Sequence, residues 1–141
     1  MEDASSWTGA SWRMMGALTR LAERNLLRYP TAPIVVMLPS AQQDLLPGVR
    51  RRHLEYADTS NIFAQAHVDF VAKTVLPYIH VNFRASRQAN DTFVIGSSLG
   101  GQAALHMLLR HSTLFGGAGC MSPAFQPVSY THLTLPTIYS V

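Results

Sequence analysis

Apolar residues recur every three or four positions at Trp12, Met15, Leu18, Ala22 and Leu26. That spacing predicts an amphipathic helix, capped by Ser11 and running to about Tyr29, where Pro30 stops it. Arg13, Arg20, Glu23 and Arg24 lie off the apolar stripe. The pattern then changes to a continuous apolar run, Ala32 to Pro39, of strand length and suited to burial on both faces of a parallel sheet. Residues 40–61 are polar and irregular, with Pro47-Gly48 marking a turn. Helical spacing returns from Ile62 to about Phe83, with Phe63, Ala66, Phe70, Val71, Val75 and Ile79 directed inward and Pro77 expected to kink the helix.

The next segment, Thr92 to Ser97, is apolar and β-branched and reads as a buried strand. The helix predicted after Ser98 is apolar nearly all round. Gln102, His106 and Arg110, four apart, form its one wet stripe, and Ala103 and Ala104 allow close packing on a sheet. Phe115 to Met121 reads as a further, glycine-rich strand ending at Ser122-Pro123. Strand, helix, strand, helix, strand is the α/β pattern, with right-handed crossovers expected. There are no internal repeats.

Composition narrows the class. At 141 residues the chain allows one domain, and 48% hydrophobic with 13% charged residues is too apolar for a disordered chain. Net charge is only +3, and the one dense basic cluster, Arg50-Arg51-Arg52, has no aromatic interleaving, which argues against nucleic acid as a partner. A single cysteine, Cys120, excludes an internal disulfide and a Cys-based zinc site. No apolar run reaches the roughly 20 residues of a membrane helix. The N-terminal residues lack the basic flank and apolar stretch of a signal peptide, so the chain reads as soluble.

The chemistry is announced at one place, Gly96-Ser97-Ser98-Leu99-Gly100. Gly-x-Ser-x-Gly between a strand and a helix is the pattern of a nucleophile elbow, a tight turn that lifts a serine clear of the sheet. Ser98 is then expected to hold strained backbone angles, with Gly96 and Gly100 removing Cβ atoms that would clash around it. Its Oγ would attack an acyl carbonyl, and the Leu99 N–H at the helix start would donate to the oxyanion, helped by the helix dipole. A phosphate-binding loop is excluded by the missing Lys-Ser/Thr ending and by the glycine spacing.

A serine nucleophile needs a base, and the base needs an orienting acid. After Asp91 the sequence contains no Asp or Glu. The histidines that follow Ser98 are His106, His111 and His132; His106 belongs to the wet stripe, and His111 at the helix end is placed to cap carbonyls. His53, His67 and His80 precede the serine and read as surface or core residues.

Residues from about Trp7 to Gln126 resemble the Putative esterase family of α/β-hydrolases, which includes S-formylglutathione hydrolase, feruloyl and acetylxylan esterases, enterochelin esterases and mycolyltransferases. Gly96 to Gly101 with Ala103-Ala104 carries the resemblance. Leu114-Phe115-Gly116-Gly117, Met121 to Phe125, the Arg52-His53-Leu54-Glu55-Tyr56 segment and Leu76-Pro77-Tyr78-Ile79 support it. The enterochelin-esterase-like branch is the most similar. His80 stands where the family usually has an acid.

The resemblance implies a partial α/β-hydrolase fold, a mostly parallel sheet with helices on both faces, lacking the first and last strands. It implies a serine esterase for small acyl or aryl esters, with Ser98 and Leu99 as catalytic residues and no metal or organic cofactor. An acyltransferase of the same fold and a non-catalytic hydrolase-like module are the alternatives. Family members carry a His-Asp-Gly-type strand end upstream of the region matching Trp7, and later strands bearing the acid and the histidine. These 141 residues contain neither, so the chain as given is expected to be inactive.

Residues 1–127 are therefore expected to form the partial esterase domain and residues 128–141 a non-native tail. Val128 to Thr137 is what a transposase-type sequencing adapter, GTC TCT TAT ACA CAT CTG ACG CTG CCG ACG, encodes in order.

Overall fold

The structure, a computed structural model, describes residues 14–26, 33–39, 44–57 and 61–123. The chain divides into two compact units, residues 1–38 and residues 39–141.

In the first unit, α1 spans Met14–Glu23. It ends earlier than the sequence predicts. Asn25 takes a left-handed conformation (φ 53°), the Leu26 N–H donates to the Leu21 carbonyl at 2.9 Å, and the Asn25 N–H donates to that of Ala22 at 3.0 Å. This pair of bonds is a Schellman stop with asparagine in the place usually taken by glycine. Leu26 consequently leaves the stripe and is 65% exposed. Ser11, Trp12 and Pro30 lie outside the described residues. The apolar run at 33–39 is a correction too: it is exposed and forms no strand among the described residues. A parallel strand is stabilised by its neighbours' hydrogen bonds, and the parallel ladder here contains other segments alone.

The second unit opens with a hairpin inside the stretch predicted to be irregular. β1 (Asp44–Leu46) pairs antiparallel with β2 (Val49–Arg50) across Pro47-Gly48. Gly48 has φ 80°, which a proline-glycine turn requires of its second residue. A short helix, α2 (Arg51–Tyr56), follows directly.

Asn61 then caps α3 (Ile62–Phe70), its Oδ1 accepting from the N–H groups of Phe63 at 2.7 Å and Ala64 at 3.1 Å. Its Nδ2 donates back to the Leu54 carbonyl at 3.0 Å, tying α3 to α2. The helix continues through a π turn (Val71–Val75) into α4 (Leu76–Asn82). Pro77 explains the π turn: it has no N–H, and its ring would strike the carbonyl four residues earlier in a regular helix. In the widened turn the Leu76 N–H donates to the Val71 carbonyl instead.

The inward face is Ala64, Val68, Val71 and Ala72, whereas Ala66 and Phe70 are exposed. The predicted stripe was displaced because it followed the phenylalanines. The small residues make the close-packed face, and the helix turns Phe70 outward.

β3 (Phe93–Ser97), α5 (Leu99–Arg110) and β4 (Gly117–Met121) complete the unit. The two strands pair in parallel register from Phe93 opposite Gly117 to Ser97 opposite Met121. Val68, Val71, Met107 and Phe115 form the core, with Leu76, Val94, Leu108 and Leu114 packed around it.

The sequence predicts helices on both faces of a larger sheet; among the described residues of this unit they cover one. On the open face Phe93 is 60% and Ile95 56% exposed. They stand so close over Gly117 and Gly119 that an added Cβ would lie 3.1 Å from the Phe93 ring and 3.2 Å from Ile95. Glycine in β4 therefore lets the larger residues of β3 lie flat across the pair.

Candidate active site

Ser98 occupies the single residue between β3 and α5, and its backbone angles, φ 55° and ψ −125°, are not those of any regular element. A non-glycine residue held there is strained, at a cost on the order of 1–3 kcal/mol, and persists because its surroundings overdetermine it. Those surroundings can be named. The Ser98 N–H donates to the Met121 carbonyl at 2.9 Å, which extends the parallel ladder by one bond. The Ser98 carbonyl accepts from the Gly101 N–H at 3.0 Å and the Gln102 N–H at 3.3 Å, which starts α5. The residue is clamped on both sides while its side chain remains exposed.

Gly96 makes the turn sterically possible. A Cβ built on it would overlap the carbonyl of Gly100 and lie 2.8 Å from the Gly101 nitrogen. Gly100 differs from the expectation: a Cβ there meets nothing within 4 Å. Its contribution is the backbone carbonyl that occupies the space beside Gly96.

Leu99 is the first residue of α5. Its N–H has no acceptor inside the helix, because the first N–H groups of a helix never do. The Ser98 N–H, by contrast, is committed to β4. Of the two amides flanking the serine hydroxyl, Leu99 is the one left to donate to a ligand.

Gln102 overturns the wet stripe. It is 2% exposed and its Nε2 donates to the Ala57 carbonyl at 2.5 Å, tying the first turn of α5 to the end of α2. Its Oε1 is buried without a partner among the described residues. The i, i+4 spacing could not reveal this, because a glutamine that reaches a distant carbonyl has the same pattern as one facing water. His106 is half-buried, and burial, followed by the nearby Arg110 and His111, holds its imidazole below the usual histidine range. It lies two turns from Ser98, about 12 Å along the helix.

His111 does not cap carbonyls with its side chain. Its Nε2 is buried and approaches Asp69 Oδ1 at 3.5 Å, an ion-pair separation longer than a good hydrogen bond. An Asp–His pair therefore exists, but at the C-terminal end of α5, about 20 Å from Ser98 along the helix axis.

The Asp69 carboxylate is held below its ordinary range chiefly by the hydrogen bond from Lys73 at 2.9 Å, with His111 adding to it. A depressed carboxylate stabilises the fold above its unfolded-state pKa, and that contribution is lost as pH falls through the folded value. Asp69→Asn is thus expected to melt below the parent chain at pH 7, with the gap closing below about pH 4. Thermal melts of both chains across pH 3–7 check this; a gap that persists at the acid end excludes it.

His67 is the other perturbed imidazole. It packs on Tyr56 with ring centroids 4.9 Å apart, and burial lowers its pKa while Glu55 opposes the shift. It serves the α2–α3 contact, as the sequence expectation of a core or surface role requires. Among the described residues no cluster of three or more His, Cys, Asp or Glu could hold a metal ion, and no helix is long and apolar enough to cross a membrane.

The strained serine between strand and helix lies inside the Gly96–Gly101 stretch that carries the esterase resemblance. The family model described as Putative esterase matches residues 6–135 of the chain. The chain belongs to the Putative esterase family. Ester hydrolysis of small molecules is the activity class of this esterase family, and the parallel pair with its crossover helix is compatible with a partial α/β arrangement. The match extends beyond residue 127, the boundary expected from the sequence, into residues outside those described. No curated protein and no solved structure matches the chain significantly.

Proposed function

We infer that this esterase-family chain derives from a serine carboxylic ester hydrolase acting by a two-step acyl-enzyme mechanism. Ser98 Oγ attacks the ester carbonyl, the alcohol or phenol leaves with a proton, and water then releases the acid. The Leu99 N–H donates to the oxyanion of each tetrahedral intermediate, with the α5 N-terminus adding partial positive charge. The observation carrying this reading is the strained, exposed backbone of Ser98 at the β3–α5 junction. Such strain is retained where it positions a reacting group.

Among the described residues no base is placed to take the Ser98 proton; His132 lies outside them. His106 and His111 lie along α5 away from the elbow, and no acid follows the serine. On this reading the described residues supply a nucleophile without its base, so the 141-residue chain is expected to turn esters over slowly or not at all. The segment from Val128 to Thr137, into which the family match runs as far as residue 135, is proposed to be adapter-encoded. Long-read sequencing of the locus tests the second point; codons for Val128 to Thr137 that differ from the adapter would refute it.

In a chain extended through the gene's own downstream residues, a fluorophosphonate probe is expected to label Ser98 alone. Ser98→Ala should abolish the labelling. Retained labelling in that variant, or none in the parent, would sink the serine assignment.

A further inference from the structure

The three consecutive arginines that ruled out little at the level of sequence have three different surroundings in the fold. Arg51 Nε donates to Glu55 Oε1 at 2.7 Å, one turn along α2. The Arg52 guanidinium lies over the Tyr56 ring, 5.4 Å from its centroid. Arg50 belongs to neither arrangement. It closes β2 immediately before α2, and with His53, Gly48 and Leu54 it lines an open groove of about 330 Å³.

Two nitrogen-rich side chains thus share one concavity with one apolar side chain and a glycine that has no side chain to fill it. An arginine fork suits the paired oxygens of a carboxylate or phosphate, and an adjacent imidazole supplies a further donor. On the same helix as His53, the Glu55 carboxylate is committed to Arg51.

The groove is not remote from the elbow. Ala57, one turn beyond His53, accepts the hydrogen bond from Gln102, which lies one turn beyond Ser98. The helix carrying His53 is therefore tied to the first turn of the helix that Ser98 starts.

We propose that the Arg50–His53 groove is a binding site for a small carboxylate or phosphate group. On the serine-esterase reading, on which this second step rests, that group is the acidic end of the ester presented to Ser98. A site whose arginine and histidine are both exposed binds weakly, with half-saturation on the order of millimolar.

The test is a titration of the 141-residue chain with inorganic phosphate and, separately, with succinate at constant ionic strength. The readout is the ring resonances of His53 in heteronuclear NMR spectra. Saturable shifts are expected with at least one of the two, and which one responds separates a phosphate from a carboxylate site. Arg50→Gln should weaken the response by about tenfold or abolish it, whereas Arg50→Lys, which keeps the charge but loses the fork, should fall between. Dispersed amide spectra of each variant verify that it is folded. Shifts that rise linearly without saturation, or that persist unchanged in Arg50→Gln, overturn the site. Fluorophosphonate labelling in the extended chain is scored separately. Failed labelling with the anion response intact removes the serine reading, and the converse removes the groove.

Discussion

A chain that continues past Ser98 to an acidic residue and a histidine is expected to hydrolyse a 4-nitrophenyl ester on the order of 10⁴- to 10⁶-fold faster than these 141 residues. The reasoning is electrostatic and geometric. A serine hydroxyl is a weak nucleophile until a base accepts its proton, and the base is effective only when a carboxylate orients it and stabilises its charged form. Here the one Asp–His pair among the described residues, Asp69 with His111, lies at the far end of α5 and is engaged in joining α3 to α5. Rotamer changes cannot close a gap of about 20 Å. What remains beside Ser98 is the Leu99 N–H and a helix dipole, the groups proposed to hold an oxyanion. These stabilise charge in the transition state but do not generate the nucleophile. Measuring turnover of the short and extended chains, each against its own Ser98→Ala form, decides the matter. An extended chain no faster than the short one would remove the triad from the account and favour a non-catalytic module.

Gly96→Ala is expected to cost about 3 kcal/mol or more of stability in the 141-residue chain, while Gly100→Ala in the same pentapeptide is neutral or stabilising. The two glycines have equal standing in the motif and opposite surroundings. A methyl group at Gly96 overlaps the Gly100 carbonyl, a backbone group with no rotamer through which to escape. Relief would require moving the first turn of α5 away from β3, breaking the clamp on Ser98. A methyl group at Gly100 meets nothing within 4 Å and reduces the backbone entropy of a helical residue, worth roughly 0.5–1 kcal/mol. Thermal melts of the three chains provide the comparison. Equal melting of Gly96→Ala and the parent would show that the carbonyl contact is not what shapes the turn.

Much of the second unit was legible because its signals are local. The β3–α5–β4 order, the Pro47-Gly48 turn and the placement of Ser98 and Leu99 all follow from residues adjacent in the chain. The misreadings have causes of two kinds. Asn25 stops α1 with the backbone conformation usually assigned to glycine, so a helix expected to reach Tyr29 ends at Glu23. Gln102 is buried because of a carbonyl 45 positions earlier, a partner that no periodicity can reveal. The run at 33–39 is apolar enough for a central strand, but a strand exists only where another offers it a ladder. Long-range partners decided the last two, whereas the stop at Asn25 is local, made with Leu21 and Ala22.

The parallel pair has a kinetic consequence as well. Every residue that shapes the Ser98 turn, from Phe93 through the Gly96–Gly100 contact to the Met121 carbonyl, lies in one continuous stretch of the chain. Parallel sheets form slowly in general, because their strands are brought together across long loops at an entropic cost. This pair is bridged by one short crossover, residues 98–116, built around α5. The geometry of the Ser98 turn can therefore assemble early in folding, as a local unit, before any contact with a distant strand is made.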